Sequence, residues 1–165
     1  MSNGPETVCD VLSNLREGGV ECDLFGGWAE EVLSLCLPRP HTDIDLVYRG
    51  LDFSGVDAFL TSQAGELDEV TGKRFRHKRA FRFRGVVCEI LLVQDSQHRP
   101  FTLFWGDILF HWNTPFLHPV AGHLAGKPIS LVHEDNLRKY RAEFRSTENH
   151  RWRDPASRIP WSQRI

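Results

Sequence analysis

Residues 22–48 have the sequence CDLFGGWAEEVLSLCLPRPHTDIDLVY, in which a short apolar strand is followed by a glycine pair, a helix and a second strand. The first strand is predicted over residues 22–25, and the helix over residues 28–37, where Pro38 ends it. The second strand is predicted over residues 44–48. A glycine pair between strand and helix lets backbone without side chains approach a phosphate group, although an ordinary tight turn gives the same pattern.

Two carboxylates, Asp43 and Asp45, lie at the start of the second strand with Ile44 between them. Side chains alternate along a strand, so both aspartates project from the same face. Like charges about 6–7 Å apart repel, and a cation between them relieves the repulsion. Oxygen ligands without a nearby Cys or His pair favour Mg²⁺ or Mn²⁺ over zinc. A solvated edge strand with two acids is the alternative interpretation.

A third carboxylate, Glu89, lies inside an apolar segment that predicts a central strand over residues 86–93. An ionised carboxylate is expensive to bury without a partner, so we expect a compensating charge. A metal shared with the two aspartates would supply it, and an ion pair with Arg82 or Arg84 is the alternative. Three acids on adjacent strands fit two-metal phosphoryl transfer.

The rest of the chain predicts further helices and a basic strand. Apolar side chains recur at helical spacing in three more segments, residues 7–17, 56–63 and 134–145. Residues 74–84 alternate Phe with Arg and Lys and predict a strand that turns at Gly85. The aromatic residues between positions 100 and 119 have no clear period, and we place them only loosely. Helices mixed with a short, largely antiparallel sheet predict an α+β domain.

Composition narrows the class of protein. With 165 residues, of which 41% are hydrophobic, the chain fits one domain over residues 1–165. We place its core at about residues 7–95 and a C-terminal extension at about residues 96–165. A net charge of -2 gives no overall attraction to nucleic acid or membranes. The sequence also lacks an apolar run of roughly 20 residues, a signal peptide and cysteine spacing typical of zinc or disulfides, so we expect a cytoplasmic protein.

The segments around the glycine and aspartate pairs resemble a known superfamily. Gly26-Gly27-Trp28-Ala29 and Arg39-Pro40-His41-Thr42-Asp43-Ile44-Asp45-Leu46 are similar to the active-site signature of polymerase-beta-type nucleotidyltransferases. They resemble in particular the lincosamide nucleotidyltransferases and aminoglycoside adenylyltransferases, a small antibiotic-modifying branch. The resemblance is clear over residues 22–48 and weaker over residues 86–93 and 126–144. It implies a mixed β-sheet flanked by helices, with a short C-terminal helical segment.

The resemblance also implies roles for individual residues. The metal ligands and catalytic carboxylates would be Asp43, Asp45 and Glu89, with Glu89 as the general base. The nucleotide would be bound by Gly26, Gly27, Arg39 and His41. The implied reaction is Mg²⁺- or Mn²⁺-dependent transfer of a nucleoside monophosphate, such as AMP from ATP or another nucleoside triphosphate, to a hydroxyl of a small acceptor such as an antibiotic. Taken alone, His41 is more typical of a packing or capping residue.

Other interpretations stay open. A haloacid-dehalogenase-type phosphatase shares the Asp-x-Asp-x-Val pattern, but on the first strand of a longer, doubly wound chain. The main alternative is a non-catalytic module on a degenerate transferase fold that binds a nucleotide, RNA or protein. A chain this short can also complete an acceptor pocket with a second subunit, so a homodimer is one expected assembly.

The basic strand over residues 73–84 has three interpretations. A row of arginines can follow a nucleic acid backbone, which would favour the binding module. Charge can equally protect an edge strand from aggregation, and we prefer this explanation to a nucleic acid partner. Within an enzyme, the same side chains, together with Arg138, Lys139 and Arg141, could serve the phosphates of the nucleotide.

Overall fold

The computed structural model describes residues 3–96 and 99–144. Its helices are α1 (Pro5–Glu17), α2 (Gly26–Val32), α3 (Ser54–Ser62) and α4 (Glu134–Phe144). Its strands are β1 (Cys22–Phe25), β2 (Asp43–Arg49), β3 (Asp68–Glu69), β4 (Lys78–Phe83), β5 (Val86–Ser96), β6 (Arg99–Phe104), β7 (Ile108–His111), β8 (Gly122–Leu124) and β9 (Lys127–Ile129).

The main sheet is mixed, with the strand order β1-β2-β5-β4-β3. β2 is parallel to β5, and the neighbouring pairs β1–β2, β4–β5 and β3–β4 are antiparallel. The carboxyl end of β5 pairs with β6, and β6 pairs with β7. The prediction of an α+β fold with a mixed sheet and a short C-terminal helical segment is therefore confirmed.

One hydrophobic core connects the two halves of the chain. The apolar residues of β5 are buried because neighbouring strands and packed side chains cover them, and Cys88 and Ile90 are fully buried. α1 contributes the stripe that its helical spacing predicts, including Val8 and Leu15, which are also fully buried. Within residues 3–96 and 99–144, no helix is both long and apolar enough to cross a membrane.

α2 differs from its predicted range of residues 28–37. It begins at Gly26 and ends at Val32. The helix stops because Ser34 adopts a left-handed conformation, with φ of +57°. The amide of Leu35 then donates to the carbonyl of Glu30 at 2.8 Å, a bond that closes the helix end. The segment after Ser34 is thereby free to pass back toward the start of β2.

The basic strand is shorter than the predicted residues 74–84. A 3-10 turn over Thr71–Lys73 precedes it, and the backbone of Phe75 and Lys78 pairs across a tight turn. His77 lies in this turn, 1% exposed, with its ring stacked on Phe75 at 5.6 Å. Only β4, beginning at Lys78, continues as the alternating strand.

The aromatic region between positions 100 and 119 forms the β6–β7 hairpin and the segment that follows it. Its rings pack on one another and on α4. Phe110 and Trp112 are 4.6 Å apart between ring centroids, and Trp112 stacks on Tyr140 at 5.9 Å. α4 is predicted over residues 134–145, and Arg145 lies outside the described residues.

Residues 130–132 close the outer edge of β1. The amide of Leu24 donates to the carbonyl of Ser130 at 2.9 Å, and the amide of Val132 donates to the carbonyl of Leu24 at 3.0 Å. The Ser130 hydroxyl also donates to Asp23 at 2.7 Å. The C-terminal part of the chain therefore completes the sheet beside its N-terminal strand.

Candidate active site

Strand register brings the predicted carboxylates to one face of the sheet. Phe25 of β1 is opposite Asp45 of β2, and Asp45 is opposite Glu89 of β5. Opposed residues share a face, and Asp43 joins them because it precedes Asp45 by two positions. The two aspartates are partly buried, and Glu89 is 7% exposed.

Gly26 provides the space in which the Asp45 side chain lies. It follows β1 directly and has φ of +63°. A Cβ atom at this position would be 2.2 Å from Oδ2 of Asp45 and 2.7 Å from its Cβ. Glycine is required here both by the backbone conformation and by the close approach of the carboxylate.

Gly27 has a similar relation to the segment that returns from α2. A Cβ atom here would be 2.8 Å from Nδ1 of His41 and 3.4 Å from Nη2 of Arg39. The His41 ring packs on Trp28, with 4.3 Å between centroids, and its Nε2 donates to Glu31 at 2.7 Å. The glycine pair therefore adjoins, through Gly27, the other two residues predicted to bind the nucleotide, Arg39 and His41. The His41 ring also packs on Trp28.

Asn3 holds this returning segment in place, which the sequence did not predict. Its Nδ2 donates to the carbonyls of His41 and Asp43, each at 2.9 Å. Its Oδ1 accepts from the Trp28 indole at 3.1 Å. No sequence pattern connects an asparagine near the N-terminus with residues about forty positions away. The contact fixes the backbone on both sides of Thr42, directly before the aspartate pair.

Two lysines bind Glu89. Lys78 donates to Oε2 at 2.6 Å, and Lys73 contacts Oε1. Burial alone would raise the pKa of Glu89, but the positive charges and hydrogen bonds of Lys78 and Lys73 outweigh it and lower the pKa to about 2. The ion-pair partners are thus these lysines, whereas the sequence suggested Arg82 or Arg84.

The lysine at the start of β4 was accessible to sequence reasoning. The Arg84-Gly85 turn pairs Phe83 with Val86, and counting back along both strands puts Ala80 opposite Glu89. Lys78 is two residues from Ala80 and so shares the face of Glu89. Lys73 lies in the 3-10 turn, for which the alternating pattern gives no signal.

The carboxylates allow a test of metal binding. Among residues 3–96 and 99–144, no three His, Cys, Asp or Glu side chains are grouped as a ready metal cluster. Asp43 and Asp45 still offer hard oxygen ligands on one face, and the Asp45 carboxylate lies directly against the backbone of Gly26. A divalent cation fits the aspartate pair. Glu89 would have to release a lysine to become a third ligand.

Three arginines of the basic segment form ion pairs within the chain. Arg74 and Arg79 both contact Asp57 of α3, with the shortest contacts at 3.1 Å and 2.6 Å. Arg84 contacts Asp10 of α1 at 2.5 Å. These ion pairs attach the edge of the sheet to two helices, so they give the arginines a role in packing.

The fold is similar to those of solved nucleotidyltransferases. The lincosamide antibiotic adenylyltransferase LnuA, bound to lincomycin, aligns with a TM-score of 0.67 at 11% identity, over 96% of this chain and 98% of that chain. ANT(2'')-Ia in complex with adenylyl-2''-tobramycin aligns with a TM-score of 0.60 at 12% identity, over 94% and 86% of the two chains. The chain has the nucleotidyltransferase fold.

A protein of Thermotoga maritima described as a candidate nucleotidyltransferase gives a further match. Its TM-score is 0.59 at 13% identity, over 90% of this chain and 89% of that chain. No model of a protein family matches the sequence, and no curated protein matches it. The nucleotidyltransferase fold is therefore recognised here by structure, at identities too low to carry a substrate from one protein to another.

Proposed function

We propose that the protein transfers a nucleoside monophosphate, AMP from ATP in the first instance, to a hydroxyl of a small molecule. The acceptor oxygen bonds to the α-phosphorus, and the bond from that phosphorus to the oxygen bridging the β-phosphorus breaks. Pyrophosphate leaves with the bonding electron pair, and the hydroxyl proton passes to a base. The proposal includes a cytoplasmic enzyme without a membrane or nucleic acid partner, and a homodimer is the assembly to test.

One observation carries the proposal. Asp45 lies opposite Glu89 on the sheet and directly against Gly26, where a Cβ atom would overlap its carboxylate. Carboxylates beside a side-chain-free turn can hold a cation and a phosphate group in contact. A solvated strand with two acids would not need glycine at that position.

The metal would be held by Asp43 and Asp45, with Glu89 as the third ligand. A bound Mg²⁺ or Mn²⁺ supplies positive charge to the phosphate oxygens and acidifies the acceptor hydroxyl. Gly26 and Gly27 would offer backbone amides at the start of α2 to the phosphates, and Arg39 and His41, which lie against Gly27, would orient them. These residues align the triphosphate with the acceptor, which is the main task in phosphoryl transfer.

Glu89 has two states in this proposal. While Lys73 and Lys78 bind it, its pKa of about 2 makes it a weak base that can only orient the acceptor hydroxyl by accepting a hydrogen bond. Phosphate oxygens compete for the same lysines. Releasing one lysine would remove part of the positive charge that lowers the pKa of Glu89, and would make the carboxylate a stronger base.

The acceptor is the less defined substrate. LnuA binds lincomycin, and ANT(2'')-Ia was solved with adenylyl-2''-tobramycin, so hydroxylated antibiotics are the first acceptors to test. Tobramycin-like acceptors carry several ammonium groups, which need carboxylates. Of the carboxylates near the candidate site, Glu31 binds His41 and Glu89 binds two lysines. Neither of these two carboxylates can bind an ammonium group of the acceptor without weakening its present ion pairs.

A second candidate function is nucleotide binding without turnover. The lysines on Glu89 favour it, because a carboxylate that keeps both partners neither binds a metal nor accepts a proton. The two functions differ in a measurable way: the binding module would bind ATP with Mg²⁺ but release no pyrophosphate with any acceptor.

The experiment measures pyrophosphate release with each of four nucleoside triphosphates, Mg²⁺ and a panel of hydroxylated antibiotics. We expect release with at least one pair of donor and acceptor. Asp45→Asn should abolish it with little change in melting temperature, since the amide keeps the shape of the side chain but loses its charge. Full activity of this variant would show that the site is assigned wrongly.

Asp68→Asn is the matched control. Asp68 is exposed on β3, and the same chemical change there should leave both turnover and melting temperature unaltered. A loss of turnover in both variants would indicate a general effect of charge rather than loss of a metal ligand.

A further inference from the structure

A second polar site lies between the carboxyl end of α2 and α4. It is a cavity of about 400 Å³, and its lining includes Glu30, Ser34, Arg39, Leu137, Arg138 and Arg141. We call it the arginine cavity. Its volume is sufficient for more than one phosphate group, and its walls come from parts of the chain about a hundred residues apart.

Arginine side chains predominate among the charged groups that line the arginine cavity. Three guanidinium groups, those of Arg39, Arg138 and Arg141, and one carboxylate, that of Glu30, line it, which leaves a net charge of +2 from these four groups. Arg138 contacts Glu134 at 3.5 Å and Asp135 at 4.0 Å on the surface of α4. Such exposed pairs are weak and leave a guanidinium able to turn to an anion.

Glu30 holds two of these arginines in position. Its side chain is 10% exposed, and it accepts from Nε of Arg141 at 2.9 Å, from Nη2 of Arg141 and from Nη2 of Arg39 at 3.5 Å. The side chains of Arg39 and Arg141 are still 45% and 46% exposed. Guanidinium groups fixed along one edge lose little conformational entropy when an anion binds the other edge.

The arginine cavity adjoins the glycine pair through Arg39. Nη2 of Arg39 is 3.4 Å from the position that a Cβ atom of Gly27 would occupy. Arg39 therefore lines the arginine cavity and also lies beside the glycine pair. From there the cavity continues to Arg138 and Arg141.

We propose that the arginine cavity binds polyphosphate: first the terminal phosphates of the nucleoside triphosphate, then the pyrophosphate that transfer releases. The proposal rests on the proposed function for the order of these events, but pyrophosphate binding itself needs no turnover. Phosphate is favoured over a carboxylate ligand because planar guanidinium groups from several directions match its many oxygens.

The test measures binding of pyrophosphate, ATP and AMP to the full chain by calorimetry without divalent metal. Arg138→Gln removes one guanidinium without touching Glu30. We expect it to weaken pyrophosphate and ATP by at least about tenfold and to leave AMP, which lacks the terminal phosphates, unchanged. Arg84→Gln, which removes an exposed arginine paired with Asp10 of α1, is the control and should alter none of the three.

Arg141→Gln is the second variant, with circular dichroism as the check on folding. A similar loss of pyrophosphate binding in both variants supports the arginine cavity. Absence of pyrophosphate binding to the native chain, or equal binding by the native chain and Arg138→Gln, would overturn it. Pyrophosphate binding that depends on Arg138, without transfer to any acceptor, would leave the cavity standing and count against the transferase alone.

Discussion

At the residue scale, Gly26 has a left-handed backbone conformation and also lies against the carboxylate of Asp45, a predicted metal ligand. Gly26→Ala places a methyl group against the Asp45 carboxylate and adds a side chain at positive φ. We expect loss of transferase activity and a lower melting temperature.

Gly85→Ala separates the two effects. Gly85 also has positive φ, at +83°, but a Cβ atom there meets nothing within 4 Å. This variant should lose about 1 kcal/mol of unfolding free energy from backbone strain and keep full activity. Equal activity in the two variants would contradict the close contact between Gly26 and Asp45.

Glu89 should make stability depend on pH. Its pKa of about 2 is below the ordinary 4.5, so its ion pairs stabilise the fold fully above about pH 5 and are lost as the pH falls toward 2. Glu89→Gln should lower the unfolding free energy by roughly 2–3 kcal/mol at neutral pH. The difference from the native chain should shrink below about pH 4 in urea titrations.

Exposed Glu66 supplies the control for this measurement. Glu66→Gln should change the unfolding free energy by less than about 0.5 kcal/mol at both pH 7 and pH 3. If the effect of Glu89→Gln were the same at pH 7 and pH 3, the lysines would not be the cause of its stabilisation.

Residue spacing in the sequence predicted part of the candidate active site. The period of two put Asp43 and Asp45 on one face, and the structure agrees. Lys78 could have been placed beside Glu89 by counting back along β4 and β5 from the Arg84-Gly85 turn, whereas Lys73 lies in a 3-10 turn that the alternating pattern does not specify. Roles in metal and nucleotide binding stay predictions, because they need a ligand to test them.

At the element scale, Thr102 connects β5, β6 and the aromatic cluster. It is fully buried, its hydroxyl donates to the carbonyl of Leu92 at 2.8 Å, and it accepts from the Trp112 indole at 2.9 Å. Thr102→Val keeps the shape but leaves both partners unsatisfied, which should cost about 1–3 kcal/mol of unfolding free energy.

Thr102→Ser is the matched variant, since it keeps the hydroxyl and loses one methyl group. We expect it to cost about 1 kcal/mol, less than the valine variant, in urea unfolding followed by fluorescence. The reverse order would show that packing of the methyl group outweighs the two hydrogen bonds.

Elements with strong local signals were predicted well. β1 has its predicted bounds, and α1 and β5 contain their predicted ranges, because helical spacing and apolar runs mark them. α2 ends earlier than predicted because Ser34 adopts a left-handed conformation, which the surrounding sequence does not indicate. The β6–β7 hairpin escaped prediction because its rings pack on α4 and on each other, so burial did not follow a simple alternation.

At the scale of the whole molecule, the shared core predicts one cooperative unfolding transition. Core side chains come from as far apart as Val8 and Leu137. Hydrogen exchange should give the same free energy for the most protected amides of β2 and of β6. A lower value for β6 alone would divide the chain into two units and contradict the predicted single domain.

The contact of residues 130–132 with β1 affects synthesis on the ribosome. β1 emerges early, but Ser130 and Val132, which bond Leu24, are made more than a hundred residues later. Until then one side of β1 has unpaired amides and carbonyls, which can form hydrogen bonds with a strand of another nascent chain. Messages truncated before codon 130 should therefore yield products that aggregate or require a chaperone, even though they encode every residue of the candidate active site.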